Sequence, residues 1–92
     1  MIRNVREVEI DQVVYKVKEL LVEEIVSLME EDFSEEGIFL KMLPPFGLKG
    51  LQYMTGASRI TLIGLTPSQL TILHKECVAV NKCFFDVIEN MT

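Results

Sequence analysis

Residues 66–91 constrain the fold more than any other stretch of this chain. Thr66-Pro67-Ser68-Gln69 opens a helix with a mechanism at each position. The Thr66 hydroxyl can accept from the Gln69 N–H, Pro67 stands where no N–H is needed, and the Gln69 side chain can reach back to the Thr66 N–H. From there Leu70, Leu73, Cys77, Val80, Phe84, Val87 and Met91 recur in steps of three and four. That is a heptad-like seam sustained for three heptads, which a helical segment over 66–91 satisfies. Val78, Phe85 and Ile88 widen it into a second stripe. One face is expected to pack on the N-terminal hairpin and the first helix. The other carries more apolar surface than the core of a 92-residue protein readily hides, which points to self-association or a partner.

The N-terminal part follows a different period. Val5, Val8 and Ile10 make an imperfect alternation, and Val13, Tyr15 and Val17 a strict one in a β-branched run, the pattern of a half-buried strand. The two runs form a hairpin over residues 1–20, although Asp11-Gln12 lacks the glycine that favours a type I′ turn. The period then becomes helical over 21–31. Leu21, Ile25, Leu28 and Met29 line one face, and Glu23, Glu24, Ser27, Glu30 and Glu31 the other. Glu30, Glu31 and Asp32 crowd the negative end of the helix dipole and should stop the helix near residue 31. Residues 32–65 read as irregular, with Ile38–Leu43 too short to classify and a short helix near 48–55 ending at Gly56. Residues 57–65 read as a connector with Ile60, Leu62, Ile63 and Leu65 packed inward. The fold class is α+β, mainly helical, in a single domain over 1–92. It has an N-terminal β-hairpin and three or four helices, the C-terminal one longest.

Composition and motifs narrow the function. A net charge of −5, with no run of Lys or Arg, argues against nucleic-acid binding. No apolar run is long enough for a membrane span, and Met1-Ile2-Arg3-Asn4 does not open a signal peptide, so the expected location is the cytoplasm. Cys77 and Cys83 read as two buried, reduced thiols. His74 has Cys77 at i+3, but a closed metal site needs four ligands and a Cys–His nucleophile needs an orienting group, and neither is at hand. Seven acids and no base lie between Glu23 and Glu36. The pairs Glu23 with Glu30 and Glu24 with Glu31 read as a solvated face or an electrostatic handle for a basic partner, not as a general acid–base pair. The expectation is a binding protein that is not an enzyme and has no cofactor or metal.

Four segments carry a resemblance: 17–25 (Val-Lys-Glu-Leu-Leu-Val-Glu-Glu-Ile), 51–56 (Leu-Gln-Tyr-Met-Thr-Gly), 65–70 (Leu-Thr-Pro-Ser-Gln-Leu) and 80–85 (Val-Asn-Lys-Cys-Phe-Phe). In this order the chain resembles the small tail assembly chaperones of tailed bacteriophages and prophages. Leu21 stands where that pattern has Thr, and Lys82 where it has Pro, so the last helix is expected to run through without a break. The resemblance implies a non-enzymatic protein that binds the tape measure protein and helps recruit tail tube subunits in the host cytoplasm. Leu73, Val80, Phe84 and Phe85, with the acids Glu23, Glu24, Glu30 and Glu31, are the expected protein-binding residues. The alternative is a homo-oligomeric interaction module, such as a toxin-neutralising or regulatory accessory protein, using the same C-terminal seam.

Overall fold

A computed structural model describes residues 3–91; Met1 and Ile2, at the outer end of the expected hairpin, and Thr92 lie outside the described residues. Strands β1 (Val5–Ile10) and β2 (Val13–Lys18) pair antiparallel in a two-stranded sheet, from Val5↔Lys18 to Ile10↔Val13. Asp11 and Gln12 both take positive φ, 50° and 66°, as the central residues of a type I′ turn must. The cost of that conformation without glycine is offset from outside the hairpin. The Asp11 carboxylate accepts a hydrogen bond of 2.7 Å from Gln69 Nε2. Tyr15 and Val17 enter the core as the alternation requires, whereas Val13, beside the turn, stays half exposed.

Six helices follow: α1 (Val22–Met29), α2 (Phe39–Met42), α3 (Gly47–Thr55), α4 (Arg59–Ile63), α5 (Pro67–Val80) and α6 (Lys82–Glu89). The fold is therefore α+β and mainly helical, with six helices where the sequence suggests three or four. No helix among the described residues is long and apolar enough to cross a membrane. α5 begins with the reciprocal cap read from the sequence: Thr66 Oγ1 accepts from the Gln69 N–H at 3.2 Å, and Gln69 Oε1 from the Thr66 N–H at 2.9 Å. Gln69 thus caps the helix with its oxygen and holds the hairpin turn with its nitrogen.

The middle of the chain turns out to be the centre of the core. α3 packs on β2, α1, α2, α4 and α5, and buries Leu48, Leu51 and Met54 together with Gly47 and Gly50. It is the short helix expected near 48–55, and it ends as expected at Gly56, whose φ is +73°. A Cβ on Gly50 would lie 2.9 Å from the Phe46 Cβ, so only glycine lets that ring sit against α3. α5 lies on the hairpin as expected, but its main helical neighbour is α3 rather than α1. Each fully buried leucine, such as Leu28, Leu43, Leu62 and Leu73, contributes about 1.5–3 kcal/mol of transfer free energy.

Two expectations are corrected. Residues 57–65 are not a mere connector: Ser58 Oγ accepts from the Thr61 N–H and starts α4. Leu62 packs inward and Leu65 partly so, while Ile60 is 81% exposed and Ile63 faces outward. The C-terminal segment, expected to be continuous, breaks at Asn81 (φ −108°, ψ 32°) without any proline. Asn81 is buried and binds three backbone groups. Its Oδ1 accepts from the Leu20 N–H at 2.8 Å, and its Nδ2 donates to the carbonyls of Lys18 and Cys77, both at 3.1 Å. The side chain that ends α5 therefore fastens the exit of the hairpin to it.

Candidate functional site

The break at Asn81 turns α6 so that it stands opposite α1 across a cleft of about 350 Å³. Glu19, Leu20, Val22 and Ile25 line one side, and Asn81, Cys83, Phe84 and Val87 the other. On α1 the residues Val22, Val26 and Met29 share one face at helical spacing, and all three are exposed, Val22 to 77%. On α6 Cys83 and Val87 do the same, with Val87 55% exposed and Met91 exposed just beyond the helix end. Val22 thus meets Cys83 and Val87 across the trough, and Val26 and Met29 extend its stripe along α1, the kind of apolar surface that marks an interaction site.

α6 is held from beneath by aromatic packing. Phe84 stacks on Phe46 with centroids 5.5 Å apart and planes 7° from parallel, and Phe85 lies 6.2 Å from Phe46. Phe33 closes the cluster at 5.9 Å from Phe46, and His74 meets Phe85 edge-on at 6.3 Å. Phe84 and Phe85 are half-buried, so each spends one side on the core, and Phe84 offers its remainder to the floor of the trough. Leu73 is fully buried and Val80 nearly so. These two residues of the seam belong to the core beneath α5, which the heptad spacing alone does not separate from a surface seam.

The acids on and after α1 divide into two kinds. Glu24 accepts from the Leu21 N–H at 2.8 Å, the half of a capping box that does not need a polar side chain at Leu21, and pairs with Arg3 and Lys18. That hydrogen bond, helped by the two cations against some burial, lowers the Glu24 pKa. Glu31 accepts from Tyr53 Oη at 2.7 Å and pairs with Lys49 at 3.5 Å, so its pKa is lowered and that of Tyr53 raised. The carboxylates of Glu23 and Glu30, by contrast, are exposed and have no ion-pair partner among the described residues. They lie two turns apart on α1, beside the Val22–Val26–Met29 stripe. Of the four acids singled out in the sequence, Glu23 and Glu30 remain unpaired on the surface beside the α1 stripe, outside the lining of the trough, and Glu24 and Glu31 are tied into the fold.

The most buried acid, Glu36, is 1% exposed and serves the scaffold. Its Oε1 accepts from the Lys49 N–H at 3.1 Å in the first turn of α3, and its Oε2 pairs with Arg59 at 2.7 Å. The Arg59 guanidinium also lies over the Phe39 ring, 5.8 Å from its centroid. The remaining chemistry is dispersed. His74 Nε2 donates to the Pro44 carbonyl at 2.9 Å, and burial lowers its pKa against that bond. Burial pushes the Cys77 thiol up to about 12, which keeps it protonated and unreactive, whereas Cys83 is exposed rather than buried. Among the described residues no group of three or more His, Cys, Asp or Glu side chains is placed to hold a metal ion.

Val22, Val26 and Cys83 were not among the binding residues suggested by sequence. A signal existed for the first two: Val22 and Val26, with Met29, repeat at i, i+4 and i+7, one helical step round from the Ile25 and Leu28 that face the core. No protein-family model, no curated protein and no solved structure matches the chain.

Proposed function

We propose that this protein is a non-catalytic binding domain that works through the α1–α6 trough. The observation that supports this best is the meeting of exposed apolar side chains across one cleft, Val22 of α1 with Cys83 and Val87 of α6, while Val26 and Met29 continue the Val22 stripe along α1. The resemblance to small phage tail assembly chaperones supplies the partners: the tape measure protein first, with tail tube subunits recruited to the same complex, in the cytoplasm of a bacterial host. Such a chaperone needs an exposed apolar surface rather than a reactive centre.

The test is co-purification of the tagged chain with tape measure and tail tube proteins of its source genome, repeated with Val22→Asp and Val87→Asp. Both side chains are exposed, so each variant should fold as the parent does, which circular dichroism checks. Capture of either protein by the parent, lost in both variants, is the expected result. Capture that persists in both variants would remove the trough from the reading. Self-association through the trough without capture would favour the homo-oligomeric module instead.

A further inference from the structure

The charge around the trough specifies what fits it. Glu23 and Glu30 sit about 10 Å apart along α1, close to the Debye length at physiological salt, so an approaching segment meets them as one acidic rim. Glu19 adds a third carboxylate at the end of the trough. The cations that pair on α1, Arg3 and Lys18, are both held by Glu24, which lies on the far side of the helix from the stripe. On the α6 side Asp86 is already paired with Lys82 at 3.3 Å. The exposed face of α1 is therefore apolar along Val22, Val26 and Met29, with unpaired carboxylates on its outer side. Resting on the reading of the trough as a binding site, we infer that its occupant is an amphipathic helix of another protein, with an apolar stripe flanked by Lys or Arg.

A helix matches because the two walls are themselves helices, and a third laid between them buries its stripe on both. Lysine and arginine match twice. Their heads reach Glu23 and Glu30 while their methylene stems cover Val22 and Val26. A second copy of this chain matches poorly. It would bring the same acidic rim against itself, and the whole chain carries a net charge of −5.

The probes are two synthetic amphipathic peptides of about four turns. Both carry one leucine stripe, flanked by Lys in one and by Glu in the other. Binding to the full chain is followed by fluorescence anisotropy at low and high salt. The Lys peptide should bind, weaken with salt and lose its binding to Val87→Asp. The Glu peptide should bind about tenfold more weakly, ~1.4 kcal/mol spread over two exposed carboxylates. Glu23→Lys combined with Glu30→Lys should invert that preference. Equal binding of the two peptides, or a preference that survives the double reversal, overturns the inference. So does a dimer of the chain that Val87→Asp dissolves. If neither peptide binds while Val87→Asp still releases a captured partner, the helical basic occupant is wrong and the trough stands as a binding site. If Val87→Asp changes nothing in either assay, the trough itself fails.

Discussion

Replacing Asn81 by alanine tests the joint between the hairpin and the C-terminal helices. The substitution leaves the buried Leu20 N–H without its 2.8 Å acceptor and the Lys18 carbonyl without the Asn81 amide. The Cys77 carbonyl suffers less, because it also accepts from the Asn81 backbone N–H at 3.0 Å. An orphaned buried donor costs about 1–3 kcal/mol and each ordinary hydrogen bond about 0.5–1.5 kcal/mol, so the expected loss is about 3 kcal/mol. For a domain of this size that is a third or so of the total stability and about 12–24 °C in Tm. Asn81→Asp keeps the acceptor for Leu20 but turns the amide donors into an oxygen facing two carbonyls, and should cost at least as much at neutral pH. Urea unfolding followed by circular dichroism measures both, with an unchanged m-value required for the comparison. A loss below about 1 kcal/mol for Asn81→Ala would refute the assignment of Asn81 as the joint.

Gly47→Ala should destabilise by about 2 kcal/mol or more, since φ is +63° there and a Cβ would meet Glu36 Oε1 at 2.6 Å. Adding Glu36→Ala should remove the steric part of the penalty but not the backbone part, which a double-mutant cycle of unfolding free energies resolves. A thiol reagent should label one cysteine rapidly in the native protein, and none in Cys83→Ser, because Cys77 is buried with its thiol raised to about 12. Fast labelling of Cys77 would instead favour a catalytic role for it. His74 is held neutral by burial, so its folded pKa lies below the unfolded one; its contribution is full above about pH 6.5 and falls away as pH drops through the folded value. His74→Gln should flatten that part of the stability–pH curve.

The elements legible in the sequence are those governed by neighbours along the chain. The Thr66–Gln69 cap, the alternation around Tyr15 and Val17 and the stop at Gly56 each depend on residues a few positions apart, and each forms as the local rules require. What the sequence hides depends on residues brought together by the fold. Glu36 caps α3 from thirteen residues away, Asn81 breaks a helix to bind residues 18 and 20, and Gln69 steadies a glycine-free turn across 58 positions. The candidate site divides in the same way. Phe84, Phe85, Glu23 and Glu30 are readable as an apolar end and an acidic face. That Phe84 meets Leu20, Val22 and Ile25 across one cleft follows only once Asn81 has turned the chain. Leu73 and Val80 show the complementary error, since a heptad seam reads alike whether it is covered by another helix or by its own hairpin.

α6 holds no fully buried residue, and it is attached through Phe84, Phe85, Ile88 and the hinge at Asn81. Its local opening therefore exposes far less apolar surface than global unfolding, and costs correspondingly less free energy. Native-state hydrogen exchange should find its amides exchanging through a sub-global opening while those of α5 wait for the whole domain to unfold. If the cleft binds as proposed, one firm wall and one yielding wall let it admit helices of different girth. The residue that sets the break is then also the pivot about which the cleft widens.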